Sequence, residues 1–118
     1  MKMLIKAKRI YDAPAADDGM RILVDRLWPR GLKKDGAPID LWLKEIAPSD
    51  DLRKWFGHEP AKWPEFKQRY FAELRGKQDS VITLRQHAGA GAVTLLYSAK
   101  DEKHNNAMAL LEYLQSQT

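Results

Sequence analysis

Apolar and polar positions alternate over residues 3–10, with Met3, Ile5, Ala7 and Arg9 on one side and Leu4 and Ile10 on the other. This period of two predicts a first strand. A loop rich in breakers covers residues 12–20, and residues 21–25 form a second strand around the apolar run Ile22-Leu23-Val24. Gly31 to Pro38 reads as another loop with Lys33, Lys34, Asp35 and Gly36 at its tip. Over residues 40–46 the apolar positions Leu41, Leu43 and Ile46 leave a short strand and a helical turn equally open.

Helical spacing takes over next. Ser49 is a good N-cap, Asp50 and Asp51 suit the positive end of a helix dipole, and Gly57 stops the helix after Trp55-Phe56. A second helix is expected from about Pro64 to Arg75, where Trp63, Phe66, Tyr70, Phe71 and Leu74 share a face. A third runs from about Asp79 to Ala88 and ends in Gly89-Ala90-Gly91. Residues 92–97, nearly all apolar, read as a strand covered on both faces. A last helix is expected from Lys103 to Gln115 on the stripe Ala107, Leu110, Leu111, Leu114. Strands separated by helices predict an α/β fold: one small layered domain over residues 1–118, with a partly parallel sheet flanked by helices.

Composition narrows the class. The chain has 118 residues, 44% apolar and 31% charged, as expected of a globular domain with a core. It has no cysteine, which excludes disulfides and thiolate chemistry and fits a reducing, cytoplasmic setting. No run approaches the roughly 20 apolar residues of a membrane span, so no membrane partner is expected. The net charge of +4 is unevenly placed. Residues 1–34 hold nine Lys/Arg against four Asp/Glu, whereas the remainder is close to balanced. That excess reads either as an anion-attracting surface or as a solvated basic edge protecting the first strand.

Two loops carry the candidate chemistry. Asp25-Arg26-Leu27-Trp28-Pro29-Arg30-Gly31 follows the second strand, and Ser98-Ala99-Lys100-Asp101-Glu102-Lys103-His104-Asn105-Asn106 follows the strand at 92–97. Open α/β sheets bind ligands outside the carboxyl ends of their strands. Arg26, Arg30 and Lys100 are expected to neutralise an anion, with Asn105 beside them and Trp28 as a wall. Asp25, Asp101 and His104 are the candidates for proton transfer, with pinning of its own loop as the alternative role for Asp25. Asp101 can also cap the last helix. Lys103 and His104 would then oppose its dipole, a broken local rule that suits a bound anion. Trp55 and Trp63 read as core, Trp28 and Trp42 as surface aromatics, and His58 and His87 as helix-end residues. Three scattered histidines give no metal motif, and no nucleotide-loop or nucleophile-elbow signature occurs.

Several unusual motifs recur in one order: Asp25 through Gly31; Ala47-Pro48-Ser49 with Leu52-Arg53 and Trp55-Phe56; His58 with Trp63, Phe66, Tyr70, Glu73 and Leu74; and Tyr97-Ser98-Ala99-Lys100-Asp101 with Asn105 and Ala107. In these the chain resembles the DUF488 family, in its short, YeaO-like form, over nearly its whole length. The resemblance implies a compact α/β fold and no established catalytic residue. It draws Arg53 and His58 toward the same crevice. The sequence thus predicts a small anionic ligand, phosphate- or carboxylate-bearing, with a nucleotide-like molecule as one option, catalysis open and the cofactor unknown. The alternative is a nucleic-acid-binding or regulatory module using the basic N-terminal third. A protein-interaction module and any oligomeric state stay open.

Overall fold

A computed structural model describes residues 4–116. Its elements are β1 (Ile5–Arg9), β2 (Met20–Leu23), β3 (Leu41–Trp42), α1 (Asp50–Phe56), α2 (Trp63–Arg75), α3 (Gln78–Ala90), β4 (Val93–Tyr97) and α4 (Asn106–Ser116). Met3, where the first strand was expected to begin, lies outside the described residues. The ambiguous stretch 40–46 is both things in succession, a two-residue strand and then a 3-10 turn at Lys44–Ile46.

The four strands form one sheet in the order β1-β4-β2-β3, and every pair is parallel. Ile5 pairs with Val93, Met20 with Val93 and Ile22 with Leu41. β4 is therefore a central strand. All five of its residues are buried, as its unbroken apolar run requires.

The four helices gather on one face of the sheet. There Ile22, Val24, Val93, Leu95 and Tyr97 meet Leu52 and Phe56 of α1, Phe66, Tyr70 and Leu74 of α2, Val81 and Leu84 of α3, and Leu110 and Leu114 of α4. The other face is closed differently. Over its carboxyl half, Ile10, Leu23 and Leu96 are covered by Trp28, Leu32 and Ile39 from the long β2–β3 connection and by Trp42 of β3. Trp28 and Trp42 meet edge to face, 5.3 Å between ring centres, so these two form a second small core and are not surface aromatics. Their indole nitrogens donate to the carbonyls of Leu32 (2.5 Å) and Asp25 (2.7 Å).

Over the amino half of that face the sheet is polar. Lys6 and Lys8 of β1 and Arg21 of β2 converge on Asp18, whose side chain is 1% exposed. The Thr94 hydroxyl donates to the Asp18 carbonyl at 2.7 Å. Gly19 follows at φ 65°, with the Ala92 carbonyl so close that any Cβ would collide with it. Among the described residues no helix is long and apolar enough to cross a membrane.

Candidate functional site

Because all strands are parallel, the chain leaves β1, β2 and β4 at one edge, and the two candidate loops meet there. They border an open recess of about 450 Å³ lined by Arg9, Tyr11, Arg30, Ser98 and Lys100. The structure thus brings together Arg30 and Lys100 of the expected set. Both side chains are exposed, and neither has a hydrogen bond or ion pair among the described residues.

Ser98, at the head of the second candidate loop, joins the lining, and Arg9 and Tyr11, which the sequence does not single out, complete it. Arg9 Nε donates to the Ala99 carbonyl at 3.0 Å and a terminal nitrogen to the Ser98 carbonyl at 3.5 Å. The guanidinium also lies over the Tyr11 ring, 5.1 Å from its centre. The Tyr11 hydroxyl donates to the Arg30 carbonyl at 2.7 Å, which ties the β1 end to the β2 loop. The pairing of β1 with β4 is the signal that would have found Arg9 and Tyr11, since it sets Arg9 opposite Tyr97.

Asp25 stands directly behind Ser98. Its Oδ2 accepts the Ser98 N–H at 2.9 Å and the Ser98 Oγ–H at 2.8 Å. Burial pushes the Asp25 carboxyl up, and the Ser98 and Asn106 donors hold it down in part. Asp25 therefore latches the β2 loop to the β4 loop.

The remaining candidates occupy separate settings. Arg26 reaches away from the recess, donating to the carbonyls of Pro48 (3.1 Å) and Ala47 (3.4 Å), with Asp50 at 3.9 Å. Arg53 is exposed on the outer side of α1, 3.5 Å from Asp50. Trp28 sits in the second core. Asp101 Oδ1 accepts the N–H groups of Lys103 (2.9 Å) and His104 (3.0 Å), and Oδ2 lies 2.9 Å from His104 Nδ1. These donors, the His104 N–H foremost, lower the Asp101 carboxyl to about 2. The His104 ring meets Trp63 edge-on at 5.4 Å. Asn105 is buried. Its Oδ1 accepts the Met108 N–H and its Nδ2 donates to the Asp101 carbonyl, each at 2.9 Å, so Asn105 caps α4. His58 is exposed just beyond α1, at φ 59°. Among the described residues no group of His, Cys, Asp or Glu is placed to hold a metal.

A second recess of about 420 Å³ lies at the α2–α3 turn, lined by Glu45, Arg75, Lys77 and Asp79 among others. It mixes acids with bases, and its Lys77 ammonium is tied to the Ala47 carbonyl at 2.7 Å.

The model of the inactive DUF488-N3 subclade matches residues 4–118. The chain is 46% identical over 114 residues to the uncharacterized protein YeaO of Escherichia coli, covering 97% of this chain and 99% of that one. It is 36% identical over 110 residues to the uncharacterized protein Mb3100c of Mycobacterium bovis, with 93% and 92% covered. The uncharacterized protein Rv3073c of Mycobacterium tuberculosis matches to the same extent. No solved structure matches. On the full-length family match and these identities, the chain belongs to the DUF488 family, among its YeaO-like proteins.

Proposed function

We propose that this protein binds a small phosphate- or carboxylate-bearing ligand between Arg30 and Lys100, and that it does so without turning the ligand over. One observation carries the reading. Two unpartnered cations, contributed by different loops, line a single recess that has no carboxylate in its lining. Arginine and lysine at a sheet's carboxyl edge are suited to an anion. The groups expected to move protons are engaged elsewhere: Asp25 in joining two loops, and Asp101 with His104 in the turn before α4. The description of the matching subclade as inactive favours binding without catalysis. The cysteine-free chain suits a reducing cytoplasm.

The test is thermal stability in the presence of inorganic phosphate, citrate, AMP and ATP. A ligand at about 100 times its Kd adds roughly 2.7 kcal/mol, which raises Tm by several degrees. The wild type is expected to show that shift with at least one of these anions. Arg30→Ala and Lys100→Ala should each remove it while keeping their own Tm, because neither side chain holds the fold together. A shift that survives both substitutions would place the anion elsewhere and defeat the proposal. Formation of product by the wild type would overturn the non-catalytic part of it.

A further inference from the structure

Resting on that anion-binding reading, we infer that the recess selects a phosphomonoester carried on a hydroxylated skeleton, a sugar phosphate or a nucleoside monophosphate, with Ser98 Oγ and Tyr11 Oη accepting ligand hydroxyls. The two halves of this ligand follow from different atoms.

The anionic half follows from the two free cations. A carboxylate is a planar fork that one guanidinium satisfies in bidentate fashion. A phosphomonoester carries close to two charges at neutral pH and three terminal oxygens. Arg30 and Lys100, on separate loops lining one recess, together match the larger charge.

The hydroxylated half follows from where the hydrogens have gone. Asp25 Oδ2 already accepts the Ser98 N–H, so it stands as an acceptor, and the hydrogen in its 2.8 Å contact with Ser98 Oγ is the hydroxyl's own. The Tyr11 hydroxyl spends its hydrogen on the Arg30 carbonyl. Both oxygens are left with lone pairs only. Phosphate oxygens are repelled from them and drawn to the cations, while ligand O–H groups are accepted. The backbone acceptors of the same rim, the Ser98 and Ala99 carbonyls, are already taken by Arg9. Arg9 and the Arg30 carbonyl together fix the Tyr11 ring, which remains 45% exposed and offers a flat apolar surface to a sugar or base.

The experiment compares glycerol 3-phosphate with n-propyl phosphate, which has the same carbon count and no hydroxyl, by calorimetric titration. Inorganic phosphate serves as the anion control, and ribose 5-phosphate and AMP separate the two sources. The wild type is expected to prefer glycerol 3-phosphate about fivefold, the worth of one ordinary neutral hydrogen bond. Ser98→Ala combined with Tyr11→Phe should erase that preference in the variant, bringing its affinities for the two three-carbon esters together. Tyr11→Phe alone, at an exposed position, gives a partial loss even where the pair is poorly folded. Tighter binding of AMP than of ribose 5-phosphate supports a nucleotide ligand, and the reverse a sugar phosphate. Equal binding of the two three-carbon esters overturns the inference while the anion reading stands. Absence of any phosphate binding overturns the inference too, and removes the anion reading itself where citrate also fails to bind.

Discussion

Three aspartates show how one residue type takes its role from its surroundings. Asp18 is buried but accepts the Ala15 N–H and lies against Lys6, Lys8 and Arg21. The Ala15 donor first, then the three cations, hold its carboxyl well below the usual range against the opposing push of burial. Asp25 has no cation to offset its burial, and its carboxyl moves the other way. Asp101 sits at the surface, lowered by the turn it closes. A depressed folded-state carboxyl stabilises the fold above its unfolded value and loses that contribution as pH falls. Asp18→Asn is thus expected to lower Tm at neutral pH, because three cations remain packed around a neutral group. Its deficit relative to the wild type should shrink as pH drops below the ordinary aspartate value of 3.8. Thermal melts across that range decide the matter, and a variant that matches the wild type at pH 7 refutes the role given to Asp18. Arg21 is left with one buried terminal nitrogen lacking a partner, so this knot is not fully satisfied even in the native chain.

Among the elements, those with a strong local signal were legible in the sequence. Ser49 caps α1 as its position predicts, accepting the Leu52 N–H at 3.2 Å, and Glu73 of α2 braces it through the Ser49 N–H and hydroxyl. The aromatic face of α2 and the apolar run of β4 were equally plain. Residues 40–46 were not, because two residues of strand followed by a 3-10 turn complete neither period. The start of α4 was placed at Lys103, three residues early, for a different reason. Asp101 captures the N–H groups of Lys103 and His104 in a turn of its own, and the helix begins only after Asn105 takes over as cap. Asn105→Ala should therefore cost about 1–2 kcal/mol, a lost cap at a buried position, measured by urea denaturation. A change near zero would show that the α4 start is held by packing alone. Arg30, Ser98 and Lys100 were readable as residues of the recess because each follows an obvious strand. Arg9 and Tyr11 depended on which strands are neighbours, a long-range pairing of residues 5–9 with 93–97 that no local pattern encodes.

At the scale of the whole molecule, the basic first third proves far less basic than its count implies. Of its nine cations, Lys6, Lys8 and Arg21 are drawn onto Asp18, Arg9 onto two carbonyls, and Arg26 onto the chain at 47–50, while Lys2 lies outside the described residues. Arg30 and Lys33 stay uncommitted, and Lys34 stays exposed with its ammonium 5.8 Å from the Trp28 ring centre. Much of the charge excess thus closes the helix-free face of the sheet instead of forming a patch. With Lys100 across the recess, this leaves few cations to follow a polyanion, which argues for a small ligand over a nucleic acid. The salt dependence of binding measures the difference. Each phosphate neutralised on duplex DNA contributes about −0.9 to the slope of log K against log salt, so contact through these four cations gives a slope no steeper than about −4. Titration of a short duplex between low and moderate salt should show weak binding with at most that slope. A slope near −8, with affinity lost in Arg30→Ala, would reveal a nucleic-acid surface wider than the recess and shift the functional assignment to it.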